Sequence, residues 1–131
     1  MVLLYRSQIQ EALDNIPYPR GTTNTFDAIR YAREVMFTPE NGDRPNERNV
    51  IVIITDGASV NRTATLQQAQ QAKAEGIHII ALAVGNWQDK YEINSMASYP
   101  SRVNAIYGSN FTIIAQYAVD IQYLVCDRTY T

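Results

Sequence analysis

"IVIITDGAS", residues 51–59, is the stretch that decides the fold of this chain. It continues from Val50 as an unbroken run of β-branched residues, a pattern that predicts a strand covered on both faces in a parallel sheet. The run stops at Thr55 and a carboxylate, Asp56, and Gly57 then lets the backbone turn. Ligands of open parallel sheets bind at the carboxyl ends of the strands, so this carboxylate is a candidate functional group.

Further strands and helices follow in alternation. Ile77 to Val84 is a second apolar run, and between the two runs Thr65 to Glu75 predicts an alanine- and glutamine-rich helix ended by Gly76. Strand, helix and strand at this spacing indicate a right-handed crossover unit. A helix at about Lys90 to Ala97 and a weaker strand from Val103 to Tyr107 repeat it, so we expect about three parallel strands.

Three more helices are predicted from apolar periodicity. Ser7 and Gln10 have the spacing of a capping box before a short amphipathic helix that Pro17 and Pro19 end. A second helix begins near Thr25, and a last one spans Phe111 to Val125. The predicted inner faces are Ile9, Ala12, Leu13 and Ile16 in the first; Ala28, Ile29, Ala32, Val35 and Met36 in the second; Phe111, Ile114, Ala115, Ala118, Ile121 and Val125 in the last.

Size and composition bound the function. The chain has 131 residues, which fits one domain, and its net charge of -2 comes without a basic stripe for nucleic acid or an anionic membrane. The longest apolar run is far short of the ~20 residues that span a bilayer. The N-terminal stretch does not have the pattern of a secretory signal.

Two motifs have both a structural and a functional interpretation. Asp56 either caps a turn or the following helix, or it serves a ligand. In "RGTTNTFDAIR", residues 20–30, Thr25 is suited to capping a helix, whereas Thr23 could offer its hydroxyl oxygen to a hard cation. Neither motif is specific alone.

Together, in this order, the motifs resemble the von Willebrand factor type A domain of integrins, matrilins and collagens. The resemblance runs from about Tyr5 to Asp127 and includes "ALDNIPY", "GTTNT", "TDG" and "GIHIIALAVG". It implies an α/β fold, a doubly wound, mostly parallel sheet with helices on both faces, here as one partial domain over residues 1–131. It also implies an extracellular adhesion or matrix module that binds proteins and is not an enzyme.

The resemblance assigns roles to single residues. Thr23 would be a hydroxyl ligand and Asp56 a carboxylate ligand of Mg²⁺ or Mn²⁺, with an acidic group of the partner completing the shell. Apart from the resemblance, Gly57 beside Asp56 and Trp87 in the loop after "AVG" are candidates for partner contacts. Cys126 matches a family cysteine whose partner is absent here, which predicts a free thiol available for an intermolecular bridge.

The sequence departs from the family at its first loop. It contains no Asp-x-Ser-x-Ser pentad, and the strands and helix before and after that loop are missing, so we expect an incomplete site and weak metal binding. The apolar strand at residues 50–54 would then have an open edge. Such an edge predicts marginal stability and self-association through the strand or through Cys126.

The remaining features leave alternatives open. Asn61 and Asn110 begin glycosylation sequons, which suit a secreted protein, and His78 is interpreted as a core or edge histidine. A rival interpretation is an α/β enzyme or phosphate-binding module that uses the Gly21–Thr25 loop as an anion cradle. It would need a phosphate-binding glycine motif or a catalytic triad, and the sequence shows neither. A third interpretation is a structural fragment without a ligand.

Overall fold

A computed structural model describes residues 5–86 and 90–126. The helices are α1 (Arg6–Asp14), α2 (Thr25–Tyr31), α3 (Arg62–Ala74), α4 (Tyr91–Met96), α5 (Ser101–Asn104), α6 (Phe111–Gln116) and α7 (Ala118–Cys126). The strands are β1 (Val50–Thr55), β2 (His78–Val84) and β3 (Ala105–Gly108). A π-helical stretch, Ala32–Met36, continues α2, and a 3₁₀ turn, Pro39–Asn41, follows it. None of the helices in these described ranges is long and apolar enough to cross a membrane.

The strands form one parallel sheet in the order β1-β2-β3. Val50 pairs with His78 at one end of the first ladder and Thr55 with Ala83 at the other. All seven residues of β2 are buried, because it has a strand on each side and helices over both faces. The predicted parallel three-stranded sheet is therefore confirmed.

Two apolar layers cover the sheet. On one face, Ile51, Ile53 and Ile79 pack against α2, α3 and α4, with Ile29 and Met96 fully buried among them. On the opposite face, the alternate residues of β2 pack against α6 and α7. That second layer contains Ile80, Leu82, Val84, Ile114 and Leu124.

Strand β1 is less buried than its sequence predicts. Val52 is 39% and Ile54 55% exposed, so the expectation of cover on both faces is wrong for these two residues. Their side chains point to the α6 and α7 side, because they pair in register with Ile80 and Leu82. The helical layer on that side covers β2 and β3 and leaves this part of β1 open.

Helix α1 forms without burying any residue. The predicted capping box of Ser7 and Gln10 is wrong, since the backbone N–H of Tyr5 donates to Gln8 Oε1 at 3.1 Å and the helix begins earlier. Its apolar residues Ile9 and Leu13 are exposed. The predicted helix is confirmed, whereas its predicted inner face is wrong, since Ile16 is exposed as well.

The second helix begins at Thr25, as predicted, and buries Ile29. The rest of its predicted inner face is largely wrong: Ala28, Val35 and Met36 are exposed. The backbone widens to a π-helix after Tyr31, which rotates the following residues relative to an ideal α-helical stripe.

The last predicted helix is two helices. Phe111 to Val125 is interrupted at Tyr117, whose N–H donates to Ile114 O at 2.9 Å in a tighter turn before α7 begins. The predicted inner face is largely wrong, because four of its residues are exposed: Phe111, Ala115, Ala118 and Val125. The buried residues of the two helices are Ile114 and Leu124. In the same region a helical turn, α5, occupies residues 101–104, so β3 starts later than predicted.

Candidate functional site at the carboxyl edge of the sheet

The structure brings Thr23 and the loop after β1 together. The N–H of Val60 donates to Thr23 O at 3.0 Å, which ties the loop before α2 to the loop before α3. A methyl group at Gly57 would lie 3.5 Å from Thr23 Oγ1, an ordinary contact distance. The two motifs that are distant in sequence are thus neighbours at the carboxyl end of β1. We call this surface, formed by Thr23 and residues 56–60, the β1 rim.

Asp56 is exposed on the β1 rim. The turn around it is closed by Thr55, whose Oγ1 donates to Gly57 O at 2.8 Å and accepts from Gly57 N–H at 3.3 Å. Helix α3 is capped by Asn61, whose side chain accepts from Ala64 N–H. The interpretation of Asp56 as a cap is therefore wrong. Among the described residues, no hydrogen bond or ion pair engages its carboxylate, which faces solvent.

A buried carboxylate that was not predicted from the sequence accepts a hydrogen bond from the β1 rim. Glu92, in α4, is 2% exposed, and its Oε1 accepts from Ser59 N–H at 3.2 Å. Arg62 Nε lies 3.9 Å from Glu92 Oε2. These contacts join α4 to the loop after β1. The only sequence signal was an acid in the first turn of a short helix, where such residues are usually exposed.

The residues of the rim do not form a complete cation site. Mg²⁺ requires near-octahedral oxygen ligation and keeps several waters, so it is held well only where side chains supply enough of the shell. Thr23 and Asp56 supply one hydroxyl and one carboxylate. Within residues 5–86 and 90–126, no group of three or more His, Cys, Asp and Glu side chains could hold a metal ion.

An uncharged groove of about 330 Å³ runs beside the rim between α2 and β1. It is lined by residues 23–25, Ala28, Ile29 and residues 51–55. Edge strands are usually protected by charged side chains, proline or a bulge, and β1 has no charge or proline. Since β1 is an edge strand of the described sheet and also lines the groove, the two form one uncharged surface that ends next to Asp56.

His78 lies at the opposite end of the sheet from Asp56. It is 5% exposed, and its Nε2 donates to Asn104 Oδ1 at 2.8 Å, with the amide oriented by a bond from Asn104 Nδ2 to Ser98 O at 3.1 Å. Burial lowers the pKa of His78, and the charge of Arg48 lowers it further, against the opposing effect of the Asn104 bond. Of the two predicted positions for His78, core or edge, the structure shows the core, and His78 does not belong to the rim.

The other predicted residues lie apart from Thr23 and Asp56. Trp87 falls outside the described residues. Cys126 is a free, exposed thiol at the end of α7. Thr25, in the predicted anion cradle, is buried, and α2 has seven residues, so nothing in the described contacts favours a phosphate there.

Comparisons with known proteins agree on a family. A model of the von Willebrand factor type A domain matches residues 4–119. Collagen alpha-1(XII) from Oryctolagus cuniculus is 28% identical over 122 residues, which is 93% of this chain and 19% of the collagen. Matrilin-4 from Mus musculus is 34% identical over 116 residues, which is 86% of this chain and 18% of the matrilin. The chain thus spans about a fifth of these relatives.

Solved structures share the fold. Proximal thread matrix protein 1 from the mussel byssus superposes with a TM-score of 0.78 at 22% identity, over 91% of this chain and 30% of its own, and another of its structures has a zinc-occupied MIDAS motif. The manganese-loaded TRAP protein of Plasmodium vivax gives a TM-score of 0.59 at 17% identity, over 88% of this chain and 46% of its own. At these identities the likeness establishes the fold alone.

Proposed function

This chain belongs to the von Willebrand factor type A domain family, and from that premise we propose that it is an extracellular protein-binding module of matrix or adhesion type without catalytic activity. Its relatives in the collagen and matrilin families are matrix proteins, which supports both the class of function and the location. Because the chain covers only a small share of each relative, the partners of those whole proteins are not carried over.

One observation carries the proposal. In the β1 rim, Thr23 lies beside Gly57, the residue that follows Asp56, and the Asp56 side chain is exposed to solvent. A charged group that is fixed by its backbone and makes no bond within the described fold is available to a partner. We infer that Asp56, Thr23 and Gly57 form the contact surface for a polar group of the partner.

We also propose that divalent cations bind weakly at Thr23 and Asp56. Two related structures are described as zinc-occupied and manganese-loaded, which supports divalent ions for the family's fold in general. In this chain Thr23 and Asp56 would hold Mg²⁺ or Mn²⁺ with most of the shell left to water, so the affinity should be low. Micromolar magnesium affinity by calorimetry, abolished in Asp56→Ala, would contradict this inference.

We propose strand pairing as a second mode of association. Within the described sheet β1 is an edge strand without charge or proline, and a groove lies beside it. An extended strand of a partner can pair with such an edge, and a second copy of the chain offers an equivalent edge in its own β1. Cys126, exposed at the end of α7, could add a bridge between copies.

The binding test uses a panel of purified collagens and matrilins. The chain is immobilised and its binding is compared with that of Asp56→Asn, which keeps the size of the side chain, and of Glu40→Gln, a matched loss of an exposed charge in the 3₁₀ turn away from the rim. We expect binding to at least one panel member that falls in Asp56→Asn and persists in Glu40→Gln. No binding to any member, or equal binding by all three proteins, would contradict the proposal.

A further inference from the structure

Two glycosylation sequons lie at the same edge of the sheet as Asp56. Asn61 follows β1 and Asn110 follows β3, and because the strands are parallel, both asparagines are at the carboxyl edge. The central strand β2 separates them. Asn61 is adjacent to Val60, whose N–H is bonded to Thr23 O. One sequon thus borders the β1 rim and the other lies across the sheet from it.

The two asparagines have the same local geometry. Asn61 Oδ1 accepts from Ala64 N–H at 3.0 Å, and Asn110 Oδ1 accepts from Ile113 N–H at 2.9 Å. Each therefore caps a helix through its amide oxygen. The amide nitrogen, which is the atom that carries an N-linked glycan, donates to none of the described residues in either case. Both asparagines are exposed, as are the threonines that complete the sequons, Thr63 and Thr112.

We propose that Asn61 and Asn110 both carry N-linked glycans, and that the glycan at Asn61 restricts access to the β1 rim. The donor is an oligosaccharide linked to a polyprenyl pyrophosphate. The amide nitrogen forms a bond to the anomeric carbon, the bond from that carbon to the pyrophosphate oxygen breaks, and the nitrogen loses one proton. The amide oxygen keeps its lone pairs, so both helix caps survive the transfer.

The position of Asn61 has a consequence for binding. A branched glycan is large compared with the spacing of about 4.8 Å between neighbouring strands, and β2 alone separates β1 from β3, so the two glycans together occupy much of the carboxyl edge. A partner cannot then lie flat across the carboxyl edge. It must approach Thr23 and Asp56 from the open side of β1, which the groove beside α2 leaves accessible. This inference rests on the proposed extracellular location.

The test measures modification directly. The chain is directed into the secretory pathway of mammalian cells with an added signal sequence, and peptides are mapped by mass spectrometry before and after treatment with peptide N-glycosidase, which converts a glycosylated asparagine to aspartate. We expect aspartate at both positions 61 and 110 after treatment. Thr63→Ala should lose only the first site and Thr112→Ala only the second, while Thr63→Ser and Thr112→Ser keep them.

Two further readouts separate the possible failures. Transfer acts on the chain as it enters the lumen, so chain retained inside the cell gives the same answer as secreted chain. Unmodified asparagine at either position would overturn the proposal there, whether or not any partner binds. For the role in access, Thr63→Ala should bind the panel partner more tightly than the glycosylated chain, and equal binding would contradict that role.

Asn61→Asp controls for the cap. Aspartate keeps an oxygen acceptor for Ala64 N–H and removes the nitrogen that the glycan needs. This variant should match Thr63→Ala in losing the first glycan. A gain in binding shared by both variants would then be due to the glycan and not to a change in helix α3.

Discussion

Strands β1 and β2 carry similar aliphatic residues and have different environments. Every residue of β2 is buried, whereas β1 alternates between half-buried and exposed positions. Among the strands that the structure describes, β2 has a neighbour on each side and a helical layer on both faces, while β1 has one neighbouring strand and cover mainly from α2 and α3. Composition therefore predicts a strand, but its neighbours decide whether that strand is core or surface. In this chain the exposed strand is also the one that leads to Asp56.

The largest expected loss of stability comes from truncating a buried side chain of β2. Truncating a side chain of the same size in β1 gives the comparison. Leu82→Ala, at a fully buried position of β2, should cost about 2–5 kcal/mol of unfolding free energy. Ile54→Ala, at a position 55% exposed, should cost less than about 1 kcal/mol, since little area is removed from burial. Urea unfolding measures both.

If the chain is only marginally stable, Leu82→Ala does not fold and its free energy of unfolding cannot be measured. The milder pair Ile80→Val and Ile54→Val then makes the same comparison, with about 0.5–1.5 kcal/mol expected for the buried member. Equal losses at the two positions of either pair would show that β1 is as well packed as β2, which the structure contradicts.

The next largest loss of stability should come from a substitution at the buried carboxyl end of β3. A methyl group at Gly108 would lie 2.8 Å from Ile114 Cδ1, so Gly108→Ala must displace a buried side chain of α6. We expect a loss of about 1–3 kcal/mol, the usual cost of overpacking. Gly21→Ala is the control, because nothing lies within 4 Å of its added methyl group. Thermal melting measures both variants. A melting temperature of Gly108→Ala equal to that of the unaltered chain would mean that Ile114 of α6 does not pack against Gly108.

His78 at the start of β2 predicts a pH dependence. Its pKa is lowered in the folded chain, first by burial, so below the ordinary value of about 6.5 the unfolded chain takes up a proton that the folded chain excludes. The contribution of His78 to the free energy of unfolding is therefore fully present above pH 6.5. It is lost as the pH drops below that value, by at most ~1.4 kcal/mol per pH unit. Unfolding from pH 7.5 to 5 measures this slope. His78→Gln should flatten it, and an unchanged slope in that variant would assign it to other groups.

The smallest effect on stability should come from charging the open edge. Ile54→Lys places a charge on an exposed position of β1 and should change the unfolding free energy by at most about 0.5 kcal/mol. It should nevertheless weaken self-association, because charge on an edge strand opposes pairing. Sedimentation equilibrium compares it with Glu40→Gln. Association that is equally strong in both variants would exclude pairing through β1.

The sequence predicted those elements whose local residue pattern matches the secondary structure that they adopt in the fold. The β-branched run of β1, the apolar run of β2 and the start of α2 at Thr25 were predicted, and so was the meeting of Thr23 with the loop after β1. The break at Tyr117 could not be predicted, because residues 111–125 contain no proline or glycine to mark it. Glu92 looked like a surface acid, and only the tertiary contact with Ser59 buries it.

Hydrogen–deuterium exchange of residues 50–55 and 78–84 tests the central claim most directly. In dilute chain, the amides of β2 should exchange only through global unfolding, while the outward-facing amides of β1 should exchange much faster. Raising the chain concentration, or adding a panel protein that binds, should slow exchange in β1 and leave β2 unchanged. Protection of β1 equal to that of β2 in dilute monomer, with no response to either addition, would contradict an open, binding-competent edge.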